Sequence, residues 1–172
     1  MPLAVTHILM TIILVSIYRD YFSKNKRLFP LSTVLIAGIA GILPDLDIPL
    51  SWLLGKFGIF ISLLEHGEIT HTIIFGVLFL IPAIILWLKN KHKQGIVFGV
   101  ISFGILFHVL LDFLLGGGSE QGLMLLYPFA ITRFKVAIAS FLPSWFYTGL
   151  DAVILLCWLF HEETKHKIAD FI

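Results

Sequence analysis

Five apolar runs dominate the chain, covering residues 3–18, 28–43, 70–88, 96–115 and 145–160. A helix standing perpendicular to a bilayer needs ~20 apolar residues, with ~17 near the lower limit. The third and fourth runs meet that length. The first, second and fifth are short, which implies local thinning of the bilayer or helix ends tucked below the headgroups. Two further stretches, 48–64 and 123–142, are apolar but broken by Pro, Gly, Lys56, Arg133 and Lys135. They read as interfacial or re-entrant helices. The GGGSEQG sequence at 116–122 reads as a flexible turn, and no internal repeat is visible. The pattern predicts a single integral membrane domain over residues 1–172. Its expected fold is an all-α, polytopic helical bundle with about five transmembrane helices plus interfacial or re-entrant ones.

Composition agrees. The chain is 58% hydrophobic and 13% charged, with a mean hydropathy of +0.97. A soluble domain is about half apolar, with about a quarter of its residues charged, so this chain has too few polar residues to cover a water-facing surface. The net charge of +1 and the lack of a long basic tract argue against a nucleic-acid partner. Cys157 is the single cysteine, so no intrachain disulfide forms. The first apolar run lacks a basic leading region and a small-residue cleavage site, and is not read as a removable signal peptide. Positive charges set the expected orientation. Arg19, Lys24, Lys26 and Arg27 crowd the first loop, Lys89, Lys91 and Lys93 the third, and Lys165 and Lys167 the tail. Placing these in the cytoplasm puts the N-terminus outside and the C-terminus inside. Lys56, Arg133 and Lys135 fall on the other side.

On that topology the ionisable residues converge. His7 lies near the outer end of the first run, Asp45 and Asp47 follow the second, and His66, Glu68 and His71 surround the start of the third. His108 and Asp112 lie toward the outer end of the fourth, and Asp151 in the first turns of the fifth. Charges in hydrocarbon are costly unless paired or bound to metal, and scattered placement would not deliver them all to one depth. His108 and Asp112, at i and i+4, share a helix face. His66 and His71 would lie ~140° apart on a continuous helix, so they meet only if the chain turns between them, with Thr70 as the expected N-cap. Pro44 ends the second run and forces an irregular turn, which is tolerated at membrane depth where it lines a cavity. His nitrogens with Asp oxygens suit zinc or another divalent ion, and carboxylate-rich sets suit two-metal centres. Blander roles stand beside these. His108 can hydrogen-bond a neighbouring carbonyl, the aspartates can cap the following helix, and Asp151 can be a solvated helix start. Glu65 and Glu68 can be loop charges. His92, His161 and His166 sit with lysines and read as surface residues.

The elements THILM (6–10), GILPDLD (41–47), HGEITH (66–71) and HVLLDFLLGGGSEQGLMLLYPF (108–129) resemble the YdjM-type family of membrane-bound, metal-dependent hydrolases. The likeness covers roughly residues 5 to 130, in the family's order. It implies that His7, Asp45, Asp47, His66, His71, His108 and Asp112 occupy the family's metal-site positions. Gly67 stands where family members often carry an arginine. The ligand order is also similar to that of zinc-dependent phospholipase C, an analogy of sites rather than folds.

These readings together imply a hydrolase at the outer membrane–water interface, with a divalent metal, zinc foremost, and one or more ions. Asp47 or Glu68 is the expected general base, and Asp151 the expected orienting partner of a ligand imidazole. His108 lies ~10 Å below the end of its span at 1.5 Å per residue, a depth suited to a membrane lipid ester or phosphodiester as substrate. The alternatives are a metal or proton transporter and a non-catalytic protein whose closed metal site only ties helices together.

Overall fold

Prolines, glycines and charged loops decide where each apolar run stops being helical. The computed structural model describes residues 4–23, 25–116, 122–136, 138 and 143–166. Helix α1 spans Ala4–Ile17 and runs on through a π-helical turn, Tyr18–Phe22. Helix α2, Leu31–Ala40, begins after Pro30 and ends at Gly41. A 3-10 turn at Pro44–Leu46 then leads into α3, Asp47–Lys56, bent by 51° from α2. Two more 3-10 turns, Ser62–Leu64 and Ile69–His71, precede α4 at Ile73–Leu88. Asn90, in the left-handed region at φ 59°, reverses the chain into α5, His92–Leu115. Gly116 closes α5 at φ 83°, and its N–H reaches the Asp112 carbonyl at 2.9 Å. This is the left-handed glycine stop common at helix ends. Helix α6 spans Ser144–His166.

The described residues are thus all-helical apart from one isolated antiparallel bridge, Leu123 to Phe134. Ala4–Phe22 and His92–Leu115 are each long and apolar enough to cross a membrane, and a third crossing results if the bent pair Leu31–Ala40 and Pro44–Lys56 counts as one. Helix α4 is apolar but shorter.

Several expectations change. The apolar stretch 48–64 is α-helical only as far as Lys56, with a single 3-10 turn at Ser62–Leu64. Within 123–142 the described part forms turns and the Leu123–Phe134 bridge rather than a helix. Arg133 is drawn instead to Glu68, and the Leu125 carbonyl accepts the first N–H of α4, from Ile73, at 3.0 Å. Thr70 is not the cap of α4. Thr72 is, its hydroxyl accepting from the Phe75 N–H at 3.1 Å. Most of the expected turn at 116–122 lies outside the described residues.

Helix α5 is the centre of the bundle, packed along α4 and across α2, while α1 lies against α2. Val15, Phe29, Val34, Ala37 and Val100 form the apolar core. Small residues set the approach distances, as they do where membrane helices pack backbone to backbone. At Gly104 an added Cβ would lie 2.7 Å from the Ala40 Cβ and 3.0 Å from the Ala37 carbonyl oxygen.

Helix α6 is tied to α1 by polar pairs. Thr6 donates to Asp151 at 2.8 Å, Ser16 to Glu162 at 3.0 Å, and His166 Nε2 meets Asp20 Oδ2 at 2.8 Å. The partners are 145, 146 and 146 positions apart. A nearly constant offset means that α1 and α6 run parallel in one register.

Gly104→Val should force α2 from α5 and cost about 1–3 kcal/mol as an overpacked contact. Gly99→Val, where an added Cβ meets nothing within 4 Å, should be close to neutral. Thermal unfolding of both variants in one detergent checks the contrast.

Candidate metal centre

The break between α2 and α3, the irregular segment before α4, the first turns of α1 and the last turns of α5 meet at one end of the bundle. Asp45, His71, His108 and Asp112 each direct one ligand atom to a common point, all within 4.8 Å of one another. His108 Nε2 lies 3.2 Å from Asp112 Oδ2, 3.4 Å from Asp45 Oδ1 and 3.3 Å from His71 Nε2. His71 Nε2 lies 3.4 Å from Asp112 Oδ2 and 3.7 Å from Asp45 Oδ1.

The hydrogen bonds behind these atoms fix the chemistry. His108 Nδ1 is 2.7 Å from the Gly41 carbonyl oxygen. A carbonyl only accepts, so Nδ1 carries a proton and the Nε2 edge of the ring is the one that faces the cluster. On His71, Nδ1 sits 3.0 Å from Thr70 Oγ1, and that hydroxyl donates to Asp47 Oδ2 at 2.9 Å. With its single proton committed, the threonine oxygen accepts from His71 Nδ1, and His71 Nε2 also faces the cluster. With both rings neutral, two imidazole lone pairs and two carboxylate oxygens would meet in one buried space. A divalent cation at that meeting point would balance the two carboxylates, so the donor set fits one.

A second group adjoins the first. Asp47, His66 and His71 also bring ligand atoms within 4.8 Å of one another. His66 Nδ1 lies 3.3 Å from Asp47 Oδ1 and 3.8 Å from Asp45 Oδ1. His71 belongs to both groups, and its Nδ1 lies 3.3 Å from Asp47 Oδ2. His7 stands behind: its Nε2 is 3.3 Å from Asp112 Oδ1, and its ring stacks on His108 with centroids 3.9 Å apart. The structure therefore brings together all seven residues expected from the sequence, as four around one point, two at its flank and one behind.

The other two carboxylates lie outside both groups. Glu68 is buried and pairs with Arg133. Asp151 accepts from Thr6, next to His7 in the chain, rather than from an imidazole. Leu46, and neither aspartate, occupies the cap position of α3. Sequence reasoning missed two contributors. Thr70 joins Asp47 to His71, and Gly41 supplies the carbonyl that orients His108. Gly41 lies inside the GILPDLD element, but nothing in a glycine's identity announces that its carbonyl is used.

Exposure is uneven. The His71, His108 and Asp112 side chains are 0–3% exposed, whereas Asp45 is 23% exposed. The cluster is closed on the protein side and reaches the surface at Asp45.

A helical membrane protein with a buried His/Asp cluster at one end of its bundle is the class that this geometry defines. The chain belongs to the YdjM inner membrane protein family, whose model matches residues 1–171. No curated protein and no solved structure matches it.

Gly41→Ala should disturb the cluster without touching a charged group. The new Cβ would lie 2.7 Å from Thr11 Oγ1 and 2.9 Å from the His7 carbonyl oxygen, displacing the acceptor of the His108 Nδ1 proton. Loss of such an orienting partner typically costs ~10–100-fold in metal affinity. Zinc competition against a chromophoric chelator measures it.

Proposed function

We propose that the protein is an integral membrane metal-dependent hydrolase, acting at the outer membrane–water interface on a lipid ester or phosphodiester. The observation that carries this reading is the convergence of Asp45, His71, His108 and Asp112 on one point that opens to the surface only at Asp45. A purely structural site is closed, whereas a catalytic one keeps a position for water or substrate. The exposed edge at Asp45 supports the second kind.

Asp45, His71, His108 and Asp112 would hold the ion, zinc foremost, with Asp47 and His66 placed to hold a second. Such an ion supplies Lewis acidity and lowers the pKa of water to ~7. The chain's own groups divide the remaining work. Gly41 and Thr70 hold the two central imidazoles in the required tautomer. His7 fixes the outer oxygen of Asp112. With a single ion bound, Asp47 is the general base that the geometry favours, because Glu68 is engaged by Arg133. Protons can leave Asp47 through His66, whose side chain is 20% exposed. Asp151 keeps Thr6, and with it the first turns of α1, in place.

The proposed topology has five crossings, α1, α2, α4, α5 and α6, with the N-terminus outside and the C-terminus in the cytoplasm. Parallel α1 and α6 support an odd number of crossings between and including them. All seven cluster residues gather at one end, while Arg19, Lys26, Arg27, Lys89, Lys91, Lys93 and Lys165 belong to the other in this arrangement. A C-terminal reporter should be active only in the cytoplasm, and activity solely outside it would reverse the side of the site.

For the chemistry, Asp45→Asn should abolish hydrolysis of the responsive lipid in a panel of phospholipids and isoprenoid phosphates. The bundle should remain folded, because Asp45 lies at the exposed edge. A metal scaffold behaves differently: the same change lowers the melting temperature, and the parent turns over no lipid. Activity and melting temperature of parent and variant, measured in one detergent with zinc present, separate the two.

A further inference from the structure

The end of the bundle opposite the metal centre holds a second meeting of ligand-type side chains. Asp20, in the π-helical turn after α1, faces Glu162 and His166 on α6, and each offers a ligand atom within 4.8 Å of the others. Thirteen helical positions separate Asp20 from His7, ~20 Å at 1.5 Å per residue, so this group is independent of the first.

Its inner and outer atoms are divided as in a metal site, where the nonligating atoms of each ligand are themselves held. Asp20 Oδ1 is held by Arg19 Nη1 at 3.3 Å, with Lys26 Nζ at 3.9 Å. Glu162 Oε1 accepts from Ser16 at 3.0 Å and lies 3.5 Å from His161 Nδ1. The opposite oxygens, Asp20 Oδ2 and Glu162 Oε2, both face His166 Nε2, at 2.8 and 3.8 Å. One nitrogen cannot satisfy both carboxylates with a single proton. Glu162 is buried at 9% exposure, and the Asp20 side chain is 0% exposed, so water does little to separate the two charges.

We infer that Asp20, Glu162 and His166 form a second divalent-metal site, which clips α6 to α1 at the end of the bundle away from the first centre. Two carboxylates and one imidazole suit zinc or manganese, with solvent completing the shell on the exposed side of His166. Arg19 and Lys26 repel a cation from behind Asp20, so this site should bind more weakly than the first. The sequence placed His166 with the lysines as a surface residue. The structure turns it against a buried carboxylate pair instead.

The test uses the intact protein, purified in detergent and stripped with chelator. The first centre is disabled by combining His71→Gln, which removes the residue shared by both of its groups, with Asp112→Asn, and this separates the inference from the proposed hydrolase. Zinc titration of that variant should still show one equivalent bound, and cobalt should give visible absorption bands. Adding His166→Ala should remove the equivalent or weaken it at least ten-fold. Glu162→Gln, which keeps the shape and the Ser16 contact, should do the same without loss of helical content. The inference is overturned if the disabled variant binds no zinc, or if it binds equally well after His166→Ala and after Glu162→Gln.

Discussion

The 2.7 Å hydrogen bond from His108 Nδ1 to the Gly41 carbonyl is the interaction on which the His/Asp cluster rests. It ties one ring nitrogen to the backbone of a neighbouring helix end and turns the other toward two carboxylates. It also requires α2 to stop at Gly41, since a carbonyl inside a continuing helix would be used by its own N–H four residues on. The break before Pro44 is therefore part of the site. It frees the acceptor, turns Asp45 and Asp47 inward, and lets α1 and α5 approach across a residue without a side chain.

Local order explains what could be read from the sequence. The pairing of His108 with Asp112 follows from helix geometry alone, and the break at Pro44 from the chemistry of one residue. The rest depended on contacts between distant segments. His108 was weighed as either a ligand or a partner of a backbone carbonyl. The structure gives one nitrogen the carbonyl and leaves the other facing the His/Asp cluster, so the two readings never competed. Thr70 looked like a cap because it precedes an apolar run, but the chain spends two more residues in a 3-10 turn, and Thr72 inherits the task. The stretch 123–142 has helical hydropathy, yet its described part is held by backbone bonds to Gly67 and the start of α4. Hydropathy reports burial and does not report which backbone groups are taken.

Polar residues in this bundle follow a common economy. Thr11 donates to the His7 carbonyl at 2.6 Å, and Ser102 to the Gly76 carbonyl at 2.9 Å. Each short hydroxyl closes onto a nearby backbone group and leaves the lipid-facing surface to Leu, Ile and Phe. The Thr11 bond lies within α1, whereas the Ser102 bond joins α5 to α4, a kind worth only ~0.6–2 kcal/mol between membrane helices. Their effect lies in orientation: they fix which face of each helix turns inward, and so where the imidazoles and carboxylates arrive.

The parallel seam between α1 and α6 works like a key cut with uneven teeth. Ten residues separate Thr6 from Ser16, but eleven separate Asp151 from Glu162, and four separate each from the next pair, Asp20 and His166. Sliding α6 by one turn, ~5.4 Å, carries His166 to Ser16 in one direction and sets Glu162 against Asp20, two like charges, in the other, and it parts Thr6 from Asp151 either way. No neighbouring setting keeps all three pairs. The uneven spacing thus marks one position of α6 along the wall of the bundle.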